Sequence, residues 1–147
     1  MNVLATLHRQ HEELSRHLLG TLNAVLDFRD GDSAGRLALS LGAMVKLLRE
    51  HLLLEDEWLY PMMIRANQPS AAAAAVELRD GMGLLADEIE DFQRRWGTSS
   101  VIETFPAQFR SEAIALFGRI NDRIAREDRD LLPLAGLLGI DRQSSAA

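Results

Sequence analysis

The chain has no cysteine, so disulfides, thiolate metal sites and a cysteine nucleophile are all excluded. Aromatic residues make up only 5% of a chain that is 47% hydrophobic, so its core must be built from Leu, Ala, Ile and Val, as in helical bundles. It lacks a basic excess: 16 Lys and Arg stand against 22 Asp and Glu, for a net charge of −6 and a pI near 5.2. That balance speaks against nucleic acid as a partner. No run of about 18 apolar residues exists to cross a membrane. The first residues, Met1-Asn2-Val3-Leu4, show no basic-then-apolar signal pattern, which makes the cytoplasm the default expectation. A phosphate loop, a nucleophile constellation and an organic-cofactor motif are likewise missing, so an enzyme is not expected. The 147 residues suffice for one domain with a core that needs no staples.

What is present is helical periodicity. Four long segments carry apolar seams at spacings of three and four. The first predicted helix runs from about Asn2 to Phe28, with the seam Leu4, Leu7, His11, Leu14, Leu18, Leu22, Val25. The second runs from about Ala34 to Arg65, with Leu37, Leu41, Met44, Leu48, His51, Glu55, Trp58, Met62. Asp32 or Ser33 is placed to cap it, and Pro61 within it predicts a kink or a lost backbone bond. The third runs from about Ala71 to Trp96, with Leu78, Met82, Leu85, Ile89, Phe92, Trp96, weakened in its middle by Gly81 and Gly83. Gly97-Thr98-Ser99-Ser100 terminates it, and a linker over Val101 to Thr104 follows. The fourth helix, with Thr104 as cap and Pro106 in its first turn, carries Ala113, Phe117, Ile120, Ile124, Glu127, Leu131, Leu134. The expectation is an all-α, up-down-up-down four-helix bundle over residues 1–140, with a mobile tail over 141–147. Leu137-Leu138-Gly139-Ile140 either closes the end of the bundle or meets a second subunit; the oligomeric state stays open.

One eleven-residue phrase occurs twice. His51-Leu52-Leu53-Leu54-Glu55-Asp56-Glu57-Trp58-Leu59-Tyr60-Pro61 aligns with Arg123-Ile124-Ala125-Arg126-Glu127-Asp128-Arg129-Asp130-Leu131-Leu132-Pro133. Glu-Asp, a Leu four residues after the Glu, and a Pro two further on fall in register. The first copy opens on a metal-type ligand and the second on an arginine.

Four polar residues stand where each seam otherwise places an apolar one: His11, His51, Glu55 and Glu127. His51 and Glu55 share a face at i and i+4. A carboxylate in such a seam loses hydration and needs a cation or donors in return. Imidazole and carboxylate groups from several helices at one depth have the makings of a bundle-core metal site for iron, manganese or zinc. The bland alternative is that a lone seam histidine is a hydrogen-bonded core residue. His8 and His17 fall off the seam and read as surface residues. Asp56 and Asp128 read as flank or solvent-facing groups, and Arg9, Arg16, Arg126 and Arg129 as solvated charges.

At these positions the chain resembles the hemerythrin-like, or HHE cation-binding, domains. His11 to Leu14 approximates their early His-x-x-Glu-Leu. His51, Glu55, Leu59 and Pro61 match the second-helix motif. Arg123, Ile124, Glu127, Asp128, Leu131 and Pro133 match the fourth-helix motif in all but its histidine. The resemblance implies a bundle with a non-haem di-iron centre bridged by two carboxylates. It implies roles in oxygen carriage, oxygen or redox sensing, response to nitric oxide, or iron handling. Carried over residue by residue, His11 and His51 serve one iron and Glu55 and Glu127 bridge, with Asp128 in place of Glu127 in a variant spacing. The second iron's histidines have no counterpart around Gly81, Met82 and Leu85, and Arg123 replaces one of them, so one ion at most is expected.

Three readings follow. In the first, Arg123 stands in for a metal ion and pairs with Glu55 and Glu127, leaving a metal-free or metal-poor regulatory or binding bundle with an unknown protein partner. In the second, one iron, manganese or zinc is held by His11, His51, Glu55 and Glu127 for oxygen, nitric oxide or iron sensing. In the third, a small anion binds beside Arg123 and His51.

Overall fold

The computed structural model describes residues 2–140, and among these the secondary structure is all helical. Helix α1 spans Val3–Asp27, and the Asn2 side chain caps it by accepting from the Ala5 amide at 3.0 Å. Helix α2 spans Gly35–Leu54 and winds on without a break through a π-turn, Glu55–Leu59, into α3, Tyr60–Ile64. Helix α4 is Pro69–Trp96, and α5 is the short Ser99–Thr104. Helix α6, Pro106–Arg126, continues through a second π-turn, Glu127–Leu131, into α7, Leu132–Leu137. Helix α1 packs on α2 and α6, and α4 packs on α2, α3 and α6. No helix among the described residues is long and apolar enough to cross a membrane. The tail expected over 141–147 lies outside the described residues.

The breaks differ in detail from the sequence expectation. Neither Asp32 nor Ser33 caps α2: Ala34 is its N-cap, and Asp32 instead accepts from the Arg29 amide. The expected linker over Val101 to Thr104 is helical, as α5. Thr104 does not cap α6; Phe105 holds that position, and the Thr104 hydroxyl donates back to the Ser100 carbonyl. Local backbone groups compete for two of these side chains before a cap can form, the Arg29 amide for Asp32 and the Ser100 carbonyl for Thr104.

The largest departure lies at the two prolines. Each π-turn opens on the glutamate of the repeated phrase and closes two residues before its proline. The Tyr60 amide bonds the Glu55 carbonyl, and the Leu132 amide bonds the Glu127 carbonyl, five residues apart in each case. A proline ring presses on the carbonyl four residues back in a regular α-turn, and a turn widened by one residue relieves that pressure. The extra residue slips the buried seam. Leu59 and Met63 are fully buried where Trp58 and Met62 were expected, while Trp58 is 38% exposed. After the second turn Ala135 is buried in place of Leu134.

Apolar side chains form two clusters. One holds Leu14, Leu48, Met82, Phe117 and Ile124 among others, with Trp96 against Phe109 at its far end. The other holds Leu7, Leu59, Tyr60, Met63, Leu78 and Leu131. On α1 the boundary between them falls between Leu7 and Leu14, on α2 beyond Leu48, on α4 between Leu78 and Met82, and on α6 beyond Ile124. A polar layer occupies that boundary. Ile140 is buried in the second cluster, with Leu138 packed against it, whereas Leu137 is largely exposed. The end segment thus contributes to closing the fold.

Candidate metal centre

The polar layer consists of His11, His51, Glu55 and Glu127, all buried, at most 3% exposed. One ligand atom from each lies within 4.8 Å of the others. The imidazole nitrogens His11 Nε2 and His51 Nε2 face each other at 3.0 Å. Glu127 Oε2 lies 3.1 Å from His11 Nε2 and 3.6 Å from His51 Nε2. Glu55 Oε1 contacts His51 Nε2 and lies 4.0 Å from His11 Nε2.

Each of the four is also held from its far side. His11 Nδ1 donates to Asp128 Oδ1 at 2.6 Å. His51 Nδ1 donates to Gln10 Oε1 at 2.9 Å. The Tyr60 hydroxyl donates to Glu55 Oε2 at 2.6 Å. Arg123 Nε donates to Glu127 Oε1 at 3.2 Å. Outer partners of this kind fix tautomer and orientation at metal sites. With both Nδ1 protons engaged by acceptors, the two Nε2 atoms present lone pairs to the same small volume. Two carboxylate oxygens point there as well, and Glu55 Oε1 is buried without a hydrogen-bond donor among the described residues. Four electron-rich atoms converging in a low-dielectric interior repel one another unless a cation or protons sit between them.

The protons that the layer holds without a metal show the same demand. Burial pushes the Glu55 carboxyl up, and the neighbouring Glu127 charge pushes it further. Burial would also raise Glu127, but its hydrogen bonds to His11 and His51 dominate, and it is held well below the usual carboxylate range. Burial pulls the His51 imidazole down, yet its attraction to the Glu127 and Glu55 carboxylates outweighs that and raises it to about 9. His11 is raised as well: burial opposes it, and the Glu127 and Asp128 bonds overcome both burial and His51. The layer therefore retains protons to neutralise its carboxylates. Three carboxylates, of Glu55, Glu127 and Asp128, face one guanidinium, of Arg123. The difference equals the charge of one divalent cation.

The residues fit such an ion. Two imidazole nitrogens and two carboxylate oxygens form a donor set that iron, manganese and zinc all accept. Arg123 points inward, its side chain 11% exposed, and reaches across to donate to the Leu78 carbonyl of α4 as well. It pairs with Glu127 only; Glu55, its other expected partner, is served by Tyr60. No residue of α4 joins the donor cluster among the described residues, and Met82 is buried with the apolar core.

Of these outer partners the sequence pointed to Arg123 on Glu127, but not to Asp128, Tyr60 or Gln10 in that role. Asp128 was expected to face the flank or solvent. It is 45% exposed, but its carboxylate grips buried His11. Tyr60 lies five residues after Glu55, a spacing that points elsewhere in a regular α-helix and comes into reach through the π-turn. Proline after a seam glutamate in both copies of the phrase was the available signal. Gln10 carried none, since glutamine beside a histidine is ordinary on a helix surface.

The fold and this layer define a helical protein with a buried histidine–carboxylate cluster that could hold a cation. The family model of the hemerythrin HHE cation-binding domain matches residues 2–135, and the chain belongs to that family. Searches of curated proteins and of solved structures returned no significant match.

Proposed function

We propose that this protein is a non-haem metal-binding member of its family, with an up-down-up-down bundle that presents His11, His51, Glu55 and Glu127 to one buried cation. The supporting observation is the convergence of two imidazole lone pairs at 3.0 Å with the opposite nitrogens already bonded to Asp128 and Gln10. The metal is iron on the strength of the family, with manganese or zinc compatible with the same donors. The role is binding and sensing rather than turnover. The donors come from rigid helices, and a bound ion would tie α1, α2 and the two π-turns together. Loss or redox change of the ion would loosen that tie, which suits a cytoplasmic sensor of oxygen, nitric oxide or iron that signals to a partner protein.

The test is elemental analysis and absorption spectroscopy of untagged protein from iron-supplemented culture, beside His51→Ala. Metal in the wild type and its loss from a still helical variant support the reading. Metal-free wild type that also takes up no Fe(II), Mn(II) or Zn(II) overturns it. In that event the ion pair of Arg123 with buried Glu127 favours a second reading. There the guanidinium supplies the countercharge, and the bundle serves as a metal-free regulatory module.

A further inference from the structure

We infer that Arg123 and Tyr60 determine how many ions the centre takes, and that they set the number at one. The inference rests on the proposed metal binding and concerns which carboxylate oxygens are open to a metal.

Each carboxylate of the layer has one oxygen turned toward the two Nε2 atoms and one turned away. The inner pair is Glu55 Oε1 and Glu127 Oε2. A second ion sharing these carboxylates would need the outer pair, Glu55 Oε2 and Glu127 Oε1. Both are taken. Tyr60 donates to the first at 2.6 Å and Arg123 to the second at 3.2 Å. The arrangement implied by the family, two ions bridged by two carboxylates, therefore does not fit these residues.

Arg123 is more than a missing ligand. Its Nη2 is anchored on the Leu78 carbonyl, at the level where α4 passes from one apolar cluster to the other. Gly81 stands at that level, and a Cβ there would touch Arg123 Nη1 at 3.4 Å. Any side chain longer than alanine would have to share the space with the guanidinium. Helix α4 thus provides a backbone acceptor and room, and the second helix-length of the repeated phrase provides the cation. Arginine keeps its charge at any accessible pH, so it repels a second metal ion permanently. Lysine in its place would lack the planar fork that spans the Glu127 oxygen and the Leu78 carbonyl together.

The experiment counts ions in metal-stripped protein titrated with Mn(II), by native mass spectrometry and electron paramagnetic resonance. The wild type is expected to take one Mn(II) per chain with an uncoupled spectrum. Arg123→His combined with Tyr60→Phe removes the fixed charge, frees Glu55 Oε2 and offers a nitrogen, and is expected to take two, with exchange-coupled lines. Arg123→Gln, again with Tyr60→Phe, removes the charge and is expected to show a second, weaker uptake step; it also serves if the histidine variant does not fold. Two ions in the wild type, or one ion in both variants, overturn the inference while leaving metal binding intact. No uptake by the wild type removes the proposed function, and this inference with it.

Discussion

The Tyr60 hydroxyl lies 2.6 Å from Oε2 of Glu55, five residues earlier in the same chain segment. The two meet because the helix widens between them. The widened turn also lets Leu59 and Met63 face the core. One backbone irregularity therefore serves the apolar packing and the polar layer at once.

Removing the phenol alone leaves Glu55 Oε2 buried and unpaired. Tyr60→Phe is expected to lower the stability of the metal-free protein by about 1–3 kcal/mol, the cost of an orphaned buried acceptor. Urea unfolding monitored by circular dichroism measures it, and no change would mean that water reaches this oxygen.

Arg123→Ala leaves the Glu127 carboxylate without its ion-pair partner inside the core. A loss of about 3–5 kcal/mol is expected, as for other buried pairs broken on one side. A loss under about 1 kcal/mol would show that the guanidinium is not needed to hold Glu127.

Asp128→Asn keeps the shape beside His11 but replaces the carboxylate that orients the ring. Metal affinity is expected to fall roughly 10–100-fold, the usual effect of losing such an outer partner. Competition against a coloured chelator reads this directly, and equal affinity would relegate Asp128 to the surface role first expected of it.

The pH dependence of the metal-free protein has a definite sign. The His51 imidazole is raised from 6.5 to about 9 on folding, so its contribution is complete below pH 6.5 and lost as pH rises toward 9. Glu127 is depressed from 4.5, so its contribution is present above pH 4.5 and lost as pH falls below. Glu55 is raised by burial and the Glu127 charge, so its contribution is lost as pH rises above 4.5. Stability should therefore be greatest near pH 4.5 and fall toward pH 9. A bound divalent cation replaces the protons, so thermal unfolding with saturating metal should lose the alkaline fall. A parallel fall in both forms would place the titrating group elsewhere.

Much of this was legible in the sequence. His11, His51, Glu55 and Glu127 broke apolar seams at helical spacing, and such a break is visible without coordinates. The seam of α4, from Leu78 to Trp96, is buried at every expected position. What was hidden depended on backbone that departs from 3.6 residues per turn. Trp58 and Met62 were assigned to the core because the periodicity was carried unbroken past Glu55, and Tyr60 was overlooked for the same reason. The hold of Asp128 on His11 was hidden because a half-exposed carboxylate one step off the seam looks like any solvated charge. Arg123 could be read as a missing histidine, but its anchor is a main-chain carbonyl, and no residue identity at 78 reveals that.

The division of the apolar core by the polar layer bears on how the molecule comes apart. The smaller cluster draws on the first turns of α1, on α3, on the start of α4 and on the last residues described, Leu131 to Ile140. Both ends of the described chain lie in it, and the side chains at its boundary with the larger cluster repel one another until a cation or protons join them. The helices run through both halves, so the layer tunes their coupling, and the smaller half is expected to open at lower cost than the larger. Amides around Tyr60 and Leu131 should exchange with solvent through partial opening, at lower cost than those around Phe117, in metal-free protein above about pH 9, where the layer has lost its protons. With the layer bridged, both sets should report a single opening of the whole chain.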